Sequence, residues 1–106
     1  MQPDQTVIDA LVRQIVEAAR PLQVVLFGSG ARGTMRSGSD IDLMVVMPDG
    51  THRRKTAQSL YRAISGVKTP FDLLVATPKD LEKHKNNIGL IYQTILREGQ
   101  VLYAIA

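Results

Sequence analysis

The 106 residues predict an α/β chain of the α+β kind, one small domain in which a mixed β-sheet is packed with helices. Three observations carry this reading. Helical and extended periodicities alternate along the chain. The apolar runs at 22–27, 40–47 and 71–76 are short and bounded by turn residues, as strands are. A length of 106 residues gives room for one core and none for a second, so residues 1–106 are taken as a single domain.

The elements follow in order. Val7, Ile8, Leu11, Val12, Ile15, Val16 and Ala19 recur at helical spacing, and Pro21 stops that helix. Residues 22–27 read as a buried strand, and 40–47 as a second, closed by the turn Pro48-Asp49-Gly50. Ala57, Leu60, Tyr61 and Ile64 mark an amphipathic helix ended near Gly66, and 71–76 is the third strand. Thr77-Pro78-Lys79-Asp80 has an N-cap, a proline at the first helical position and an acidic residue in the first turn. Ile88, Ile91, Tyr92, Ile95 and Leu96 give the last helix, with Gly99 as its stop. The run 101–105 is expected to pair at a sheet edge.

Composition excludes several classes. Apolar content of 44% and charged content of 22% are ordinary for a globular chain. The net charge is +3, and with Asp40, Asp42 and Asp72 taken up by metal the rest of the chain would be more basic and favour an anionic ligand such as a nucleotide, but the excess is too small to argue for nucleic acid. Without cysteine, neither a disulfide scaffold nor a thiolate metal site can form. That is compatible with the cytoplasm, the expected location. The start of the chain lacks the basic and apolar pattern of a signal peptide, and no apolar run approaches the ~20 residues of a membrane helix.

Chemistry concentrates between Leu26 and Val46. A strand runs into a Gly/Ser turn at Gly28-Ser29, and ten residues later a second strand opens on Asp40-Ile41-Asp42. Residues two apart in a strand share a face at ~7 Å spacing. Asp40 and Asp42 therefore project together, while Ile41, Leu43 and Val45 turn into the core. Like charges held side by side repel unless a cation sits between them. A Gly-Ser turn opening a short helix offers N–H groups and a hydroxyl to a phosphate. A phosphate cradle facing paired carboxylates is the layout of a phosphoryl- or nucleotidyl-transfer site. Asp72 lies in a similar apolar strand, on the face opposite Phe71, Leu73 and Val75.

Blander readings stand beside these. Gly28, Gly33 and Gly38 could shape turns only, Ser29 could be only an N-cap, and Asp40 only a turn residue. Asp42 resists dismissal, because an unpaired carboxylate inside an apolar strand is costly. Gly28-Ser29-Gly30-Ala31-Arg32-Gly33 also satisfies a dinucleotide-binding fingerprint. That fold needs a full helix after the glycines, and Ser37-Gly38-Ser39 breaks any helix before Asp40 arrives. A Walker A loop fails because Thr34 directly follows Gly33 with no lysine between. Arg32 and Arg36 lie in the motif loop and could reach phosphate oxygens, although surface arginines are common. His52 and His84 sit in basic, polar stretches and read as solvated, while Tyr61 and Tyr92 fall at core spacing and read as packing.

Gly28-Ser29, ten residues, then Asp40-Ile41-Asp42 resembles the signature of the nucleotidyltransferase superfamily to which DNA polymerase beta belongs. Within it the chain is similar to the minimal nucleotidyltransferase (MNT) domains, short prokaryotic chains of about this length. The resemblance covers nearly the whole chain, with Asp72 where such proteins place a third carboxylate. One departure is Gly30, where members often carry a larger, frequently basic residue, so a phosphate contact from that position is lost. The resemblance implies transfer of a nucleoside monophosphate, AMP from ATP, to an acceptor hydroxyl. Asp40, Asp42 and Asp72 are the implied catalytic and metal-binding residues for two Mg²⁺ ions, and Gly28, Ser29 and Arg32 the implied nucleotide contacts. Asp72 is implied as metal ligand, as proton acceptor or as both.

Two unlike functions follow from membership. MNT-type chains pair with helical HEPN-type proteins in toxin–antitoxin systems, where the MNT member is the antitoxin and attaches adenylate to the toxin. The alternative is a non-catalytic module that neutralises a partner by association. Retention of Ser29, Asp40, Asp42 and Asp72 favours activity. Larger relatives carry a further domain for the acceptor, so for a chain of this length the acceptor is expected to come from a partner protein or a second copy. The closing run 101–106 is apolar to its end, which a partner surface, a homodimer or packing on the chain's own sheet would each explain.

Overall fold

The computed structural model describes residues 5–28, 41–84, 95 and 97–105. In chain order these form α1 (Gln5–Ala19), β1 (Gln23–Phe27), β2 (Ile41–Val46), α2 (Arg53–Ala63), β3 (Phe71–Ala76), α3 (Pro78–His84) and β4 (Gln100–Ala104). The strands make one mixed sheet of order β3-β2-β1-β4. β1 runs antiparallel to both β2 and β4, and β2 runs parallel to β3. The parallel pair needs a crossover, which α2 supplies. The last predicted helix falls largely outside the described residues, although Ile95, Arg97 and Glu98 are helical.

Both faces of the sheet are covered, so two apolar clusters form where alternation in β2 suggests one. On the first face, Ile8, Leu11 and Ile15 of α1 and Leu60 of α2 pack on Val24, Leu26, Ile41, Leu43, Val45 and Val75. On the second, Val25, Met44, Val46, Ala76 and Ile95 form a smaller cluster, flanked by Phe27, Leu74 and Leu81. A strand buried on both faces reads as a continuous apolar run rather than an alternating one, which is what Leu43-Met44-Val45-Val46-Met47 spells. Ile41, Leu43 and Val45 turn into the larger core as expected. The opposite face, which carries Asp42 at its edge, is a second interior for most of its length.

Local chemistry sets the ends. α1 stops at Arg20, whose N–H donates to the Val16 carbonyl at 3.0 Å and whose φ is 50°. That left-handed cap is usually a glycine position, and Pro21 beyond it forbids continuation. The Gln14 side chain then ties α1 to the far end of α2. Its Nε2 donates to the Ser65 carbonyl at 3.0 Å, and its Oε1 accepts from the Ser65 N–H at 2.9 Å. His52, read from sequence as simply solvated, is exposed but caps α2. Its Nδ1 accepts from the Lys55 N–H at 3.2 Å.

Tyr61 corrects the sequence reading. It is 44% exposed rather than core, because α2 turns only Leu60 fully inward. Its ring stacks on Phe71 with centroids 5.6 Å apart, and its hydroxyl accepts from the Leu73 N–H at 2.8 Å. β3 is an edge strand, and Tyr61 satisfies an edge donor that would otherwise face water or another chain. Replacing Tyr61 with Phe keeps the stack and removes the acceptor. The expected cost is about 0.5–1.5 kcal/mol in urea unfolding, with faster hydrogen exchange at the Leu73 amide.

The Thr77-Pro78-Lys79-Asp80 signal is realised in full. The Asp80 Oδ2 accepts from the Thr77 N–H and from its Oγ1, each at 3.0 Å, and the Thr77 Oγ1 accepts from the Asp80 N–H at 3.3 Å. This reciprocal cap has Asp in place of the usual Glu. Asp49 adds an acceptor for the Lys79 N–H at 2.9 Å, and Arg53 bridges to Asp80 at 3.1 Å. Thr77→Ala should lower stability by about 1 kcal/mol, read as a shift in the urea midpoint with unchanged slope.

β4 lies at the other edge, paired to β1 with an irregular register between Val24 and Val25. The closing run therefore packs on its own sheet, with Leu102 and Tyr103 against the larger core. Val101 and Ile105 remain more than half exposed. Gly99 precedes the strand, and its N–H donates to the Ile95 carbonyl at 2.8 Å. A Cβ there would fall 2.6 Å from that carbonyl oxygen and 2.7 Å from Val25 Cγ1, so the stop is also a point of close packing.

Candidate functional site

The carboxylates of Asp42 and Asp72 are brought together by the parallel register. β2 and β3 pair residue for residue, Ile41 with Phe71, Asp42 with Asp72 and Leu43 with Leu73. In such a register the paired backbones run ~4.8 Å apart and side chains of equal parity share a face. Asp42 has the parity of Met44 and Val46, and Asp72 that of Leu74 and Ala76, so both belong to the second face. They occupy its end, where apolar cover gives way. Asp42 is half-buried and Asp72 exposed.

Gly28 joins them from the other side. β1 is antiparallel to β2 and pairs Phe27 with Asp42, so the residue following β1 emerges beside the Asp42 side chain. Gly28 holds φ at 72°, a left-handed conformation that glycine adopts without steric cost. A Cβ at Gly28 would lie 2.5 Å from the Asp42 Oδ2. Glycine is needed here twice over, for the turn and for the space.

Of the residues singled out in the sequence, Asp42, Asp72 and Gly28 thus converge at one end of the second face. Asp40, Ser29 and Arg32 lie outside the described residues, as do Arg36 and Tyr92. Among the described residues, no group of three or more His, Cys, Asp or Glu side chains forms a metal cluster. The Gly28–Asp42 contact is the feature that sequence reading missed. Its signal was available, because two neighbouring antiparallel strands joined by a loop place the end of one beside the start of the next.

The donor set fits a hard cation. Two carboxylates abreast repel each other, and a divalent ion between them converts repulsion into binding. The space left by the missing Cβ admits a ligand or a carboxylate close to the backbone. Two clefts among the described residues lie on the first face instead. One, of about 370 Å³, is lined by Met47, His52, Lys55, Thr56 and Ser59, and the other, of about 410 Å³, by Ile8, Val12, Arg13, Leu102 and Tyr103. Neither includes Asp42 or Asp72. Chemistry, rather than concavity, places the site. Among the described residues no helix is long and apolar enough to cross a membrane.

A mixed four-stranded sheet that carries two carboxylates beside a glycine turn is compatible with metal-assisted phosphate chemistry. The nucleotidyltransferase domain model matches residues 8–102, and the chain belongs to that family. Its fold is similar to a chain from Sulfolobus solfataricus assigned to the nucleotidyltransferases, with 20% identity, a TM-score of 0.54, and coverage of 98% of this chain and 92% of that one. A toxin–antitoxin structure with AMP-PNP is similar at 24% identity and a TM-score of 0.59, over 97% of this chain and 75% of that one. A toxin–antitoxin MntA–HpeT structure is similar at 24% identity and a TM-score of 0.56, over 98% and 75%. At these identities the likeness is one of fold. No curated protein matches the chain.

Proposed function

We propose that this domain transfers a nucleoside monophosphate, AMP from ATP, to a hydroxyl of a partner protein, and that it serves as the antitoxin of a HEPN/MNT-type pair. The observation that carries the reading is the side-by-side register of Asp42 and Asp72 next to Gly28, within a chain of the nucleotidyltransferase family. The fold shared with a toxin–antitoxin structure with AMP-PNP supports both the nucleotide and the partner.

In this reading Asp40, Asp42 and Asp72 hold Mg²⁺ together with the triphosphate. When bound, the metal supplies neutralisation of phosphate charge and a lowered pKa for the acceptor hydroxyl. The chain's own groups do the rest. Backbone N–H groups at Gly28-Ser29 and the Arg32 guanidinium hold the β- and γ-phosphates, orienting the α-phosphorus towards the acceptor. Asp72, the most exposed of the described site residues, faces the acceptor and takes the proton of its hydroxyl. The acceptor oxygen bonds to the α-phosphorus and pyrophosphate leaves. In this reading the partner brings the hydroxyl and the surface around it.

Mass spectrometry of a co-expressed neighbouring gene product, the candidate helical partner, tests the proposal. The expected result is a mass increase of one nucleoside monophosphate with the wild-type chain and none with Asp42→Ala. Full neutralisation of the partner by Asp42→Ala would instead assign the function to binding alone.

A further inference from the structure

We infer that Gly28 is a positioning residue for the Asp42 carboxylate, its missing side chain leaving the space in which that carboxylate stands. The inference rests on the proposed reading of Asp42 as a metal ligand, and it separates two roles that one glycine could play. In the phosphate role, bulk at Gly28 blocks the triphosphate. In the positioning role, bulk at Gly28 moves Asp42 before any nucleotide arrives.

The geometry favours the second. An ideal Cβ on Gly28 falls 2.5 Å from the Asp42 Oδ2, 3.4 Å from its Cγ and 3.7 Å from its Cβ. The shortest of these is well inside van der Waals contact, so something must shift. The atom in the way is the far end of a side chain, whereas the Asp42 backbone is held by its pairing with Phe27 on one side and Asp72 on the other. The carboxylate is therefore what moves, out of register with Asp72 across the parallel strands. The fold survives and the metal site does not.

The molecule carries its own control. Gly66 holds φ at 75°, nearly the 72° of Gly28, yet a Cβ there would meet nothing within 4 Å. Gly66→Ala thus imposes the same backbone strain without the collision.

Binding of Mn²⁺ alone, without triphosphate, followed by water-proton relaxation on the intact chain, tests the inference, with each variant's melting temperature recorded alongside. Omitting the nucleotide removes the phosphate role from the readout. Gly28→Ala should weaken Mn²⁺ binding about 10- to 100-fold, the loss typical when the orientation of a ligand is disturbed. Gly66→Ala should bind as wild type does, and Gly28→Ala/Asp42→Ala no more weakly than Asp42→Ala. Wild-type affinity in Gly28→Ala overturns the inference and leaves the phosphate role standing. Failure of the wild-type chain to bind Mn²⁺ overturns the metal reading of Asp42 itself, and this inference with it. Should Gly28→Ala not fold, Asp42→Ala decides the matter, because trimming Asp42 leaves only its Cβ, at 3.7 Å, near the new methyl. Gly28→Ala/Asp42→Ala should then fold with the modest melting loss of Gly66→Ala. If it also fails to fold while Gly66→Ala folds, the glycine serves the backbone alone and the inference falls.

Discussion

Mg²⁺ with a nucleoside triphosphate is expected to stabilise the wild-type chain, and Asp42→Asn to abolish that stabilisation while leaving the fold intact. The side chain keeps its size, so the close approach to Gly28 and the pairing with Phe27 and Asp72 are preserved. What is lost is the charge that a hard cation requires. At a ligand concentration about 100 times the dissociation constant, a ligand that binds only the folded state stabilises it by about 2.7 kcal/mol. Each kcal/mol is worth roughly 4–8 °C in a domain of this size. Differential scanning fluorimetry with each of the four triphosphates should therefore show a large shift in wild type and none in Asp42→Asn. Without ligand the variant should melt at or above the wild-type temperature, since one of two neighbouring like charges has gone. Equal ligand-induced shifts in the two proteins would remove Asp42 from the site.

The second large effect is structural. Leu60 is 1% exposed and is the only buried residue of α2. It anchors to the larger core the helix that carries Tyr61 over the β3 edge. Leu60→Ala should cost about 2–5 kcal/mol, transfer and cavity terms together. A loss of that size approaches the whole stability of a small domain. Chemical denaturation should show a midpoint far below wild type, and hydrogen exchange at Leu73 should accelerate as Tyr61 loses its platform. The consequence reaches the site, because Asp72 sits on the same strand immediately before Leu73. A midpoint within a few tenths of a kcal/mol of wild type would mean that α2 is held by something other than this contact.

Much of this was legible in the sequence, for identifiable reasons. Short apolar runs bounded by Pro, Gly and Asp located β1, β2 and β3, because a strand needs only a few residues and a turn at each end. The α3 cap was legible because its partners, Thr77 and Asp80, are three residues apart and need no tertiary context. The Asp42–Asp72 pairing was legible only as a resemblance, since their strands are parallel and separated by α2, and register is decided by packing rather than by local pattern. The second apolar face escaped notice because Met44 and Val46 were hidden in a run whose alternation with Asp40 and Asp42 pointed to a single core. Tyr61 was misread because helical spacing locates a face but not its rim, and a phenol at the rim can stack with one side and accept a hydrogen bond with its hydroxyl. His52 was passed over because histidine is a rare N-cap, and its role depends on which ring nitrogen faces the Lys55 N–H.

Transfer of a nucleotidyl group and transfer of a phosphoryl group leave different atoms on the acceptor. Incubating this chain and the proposed helical partner with Mg²⁺ and ATP radiolabelled on either the α- or the γ-phosphate distinguishes the two. For nucleotidyl transfer, α-label becomes covalently attached to the partner, γ-label is released as pyrophosphate, and Asp42→Asn attaches neither. Attachment of γ-label to the partner, or neutralisation of the partner with no label attached, would contradict it.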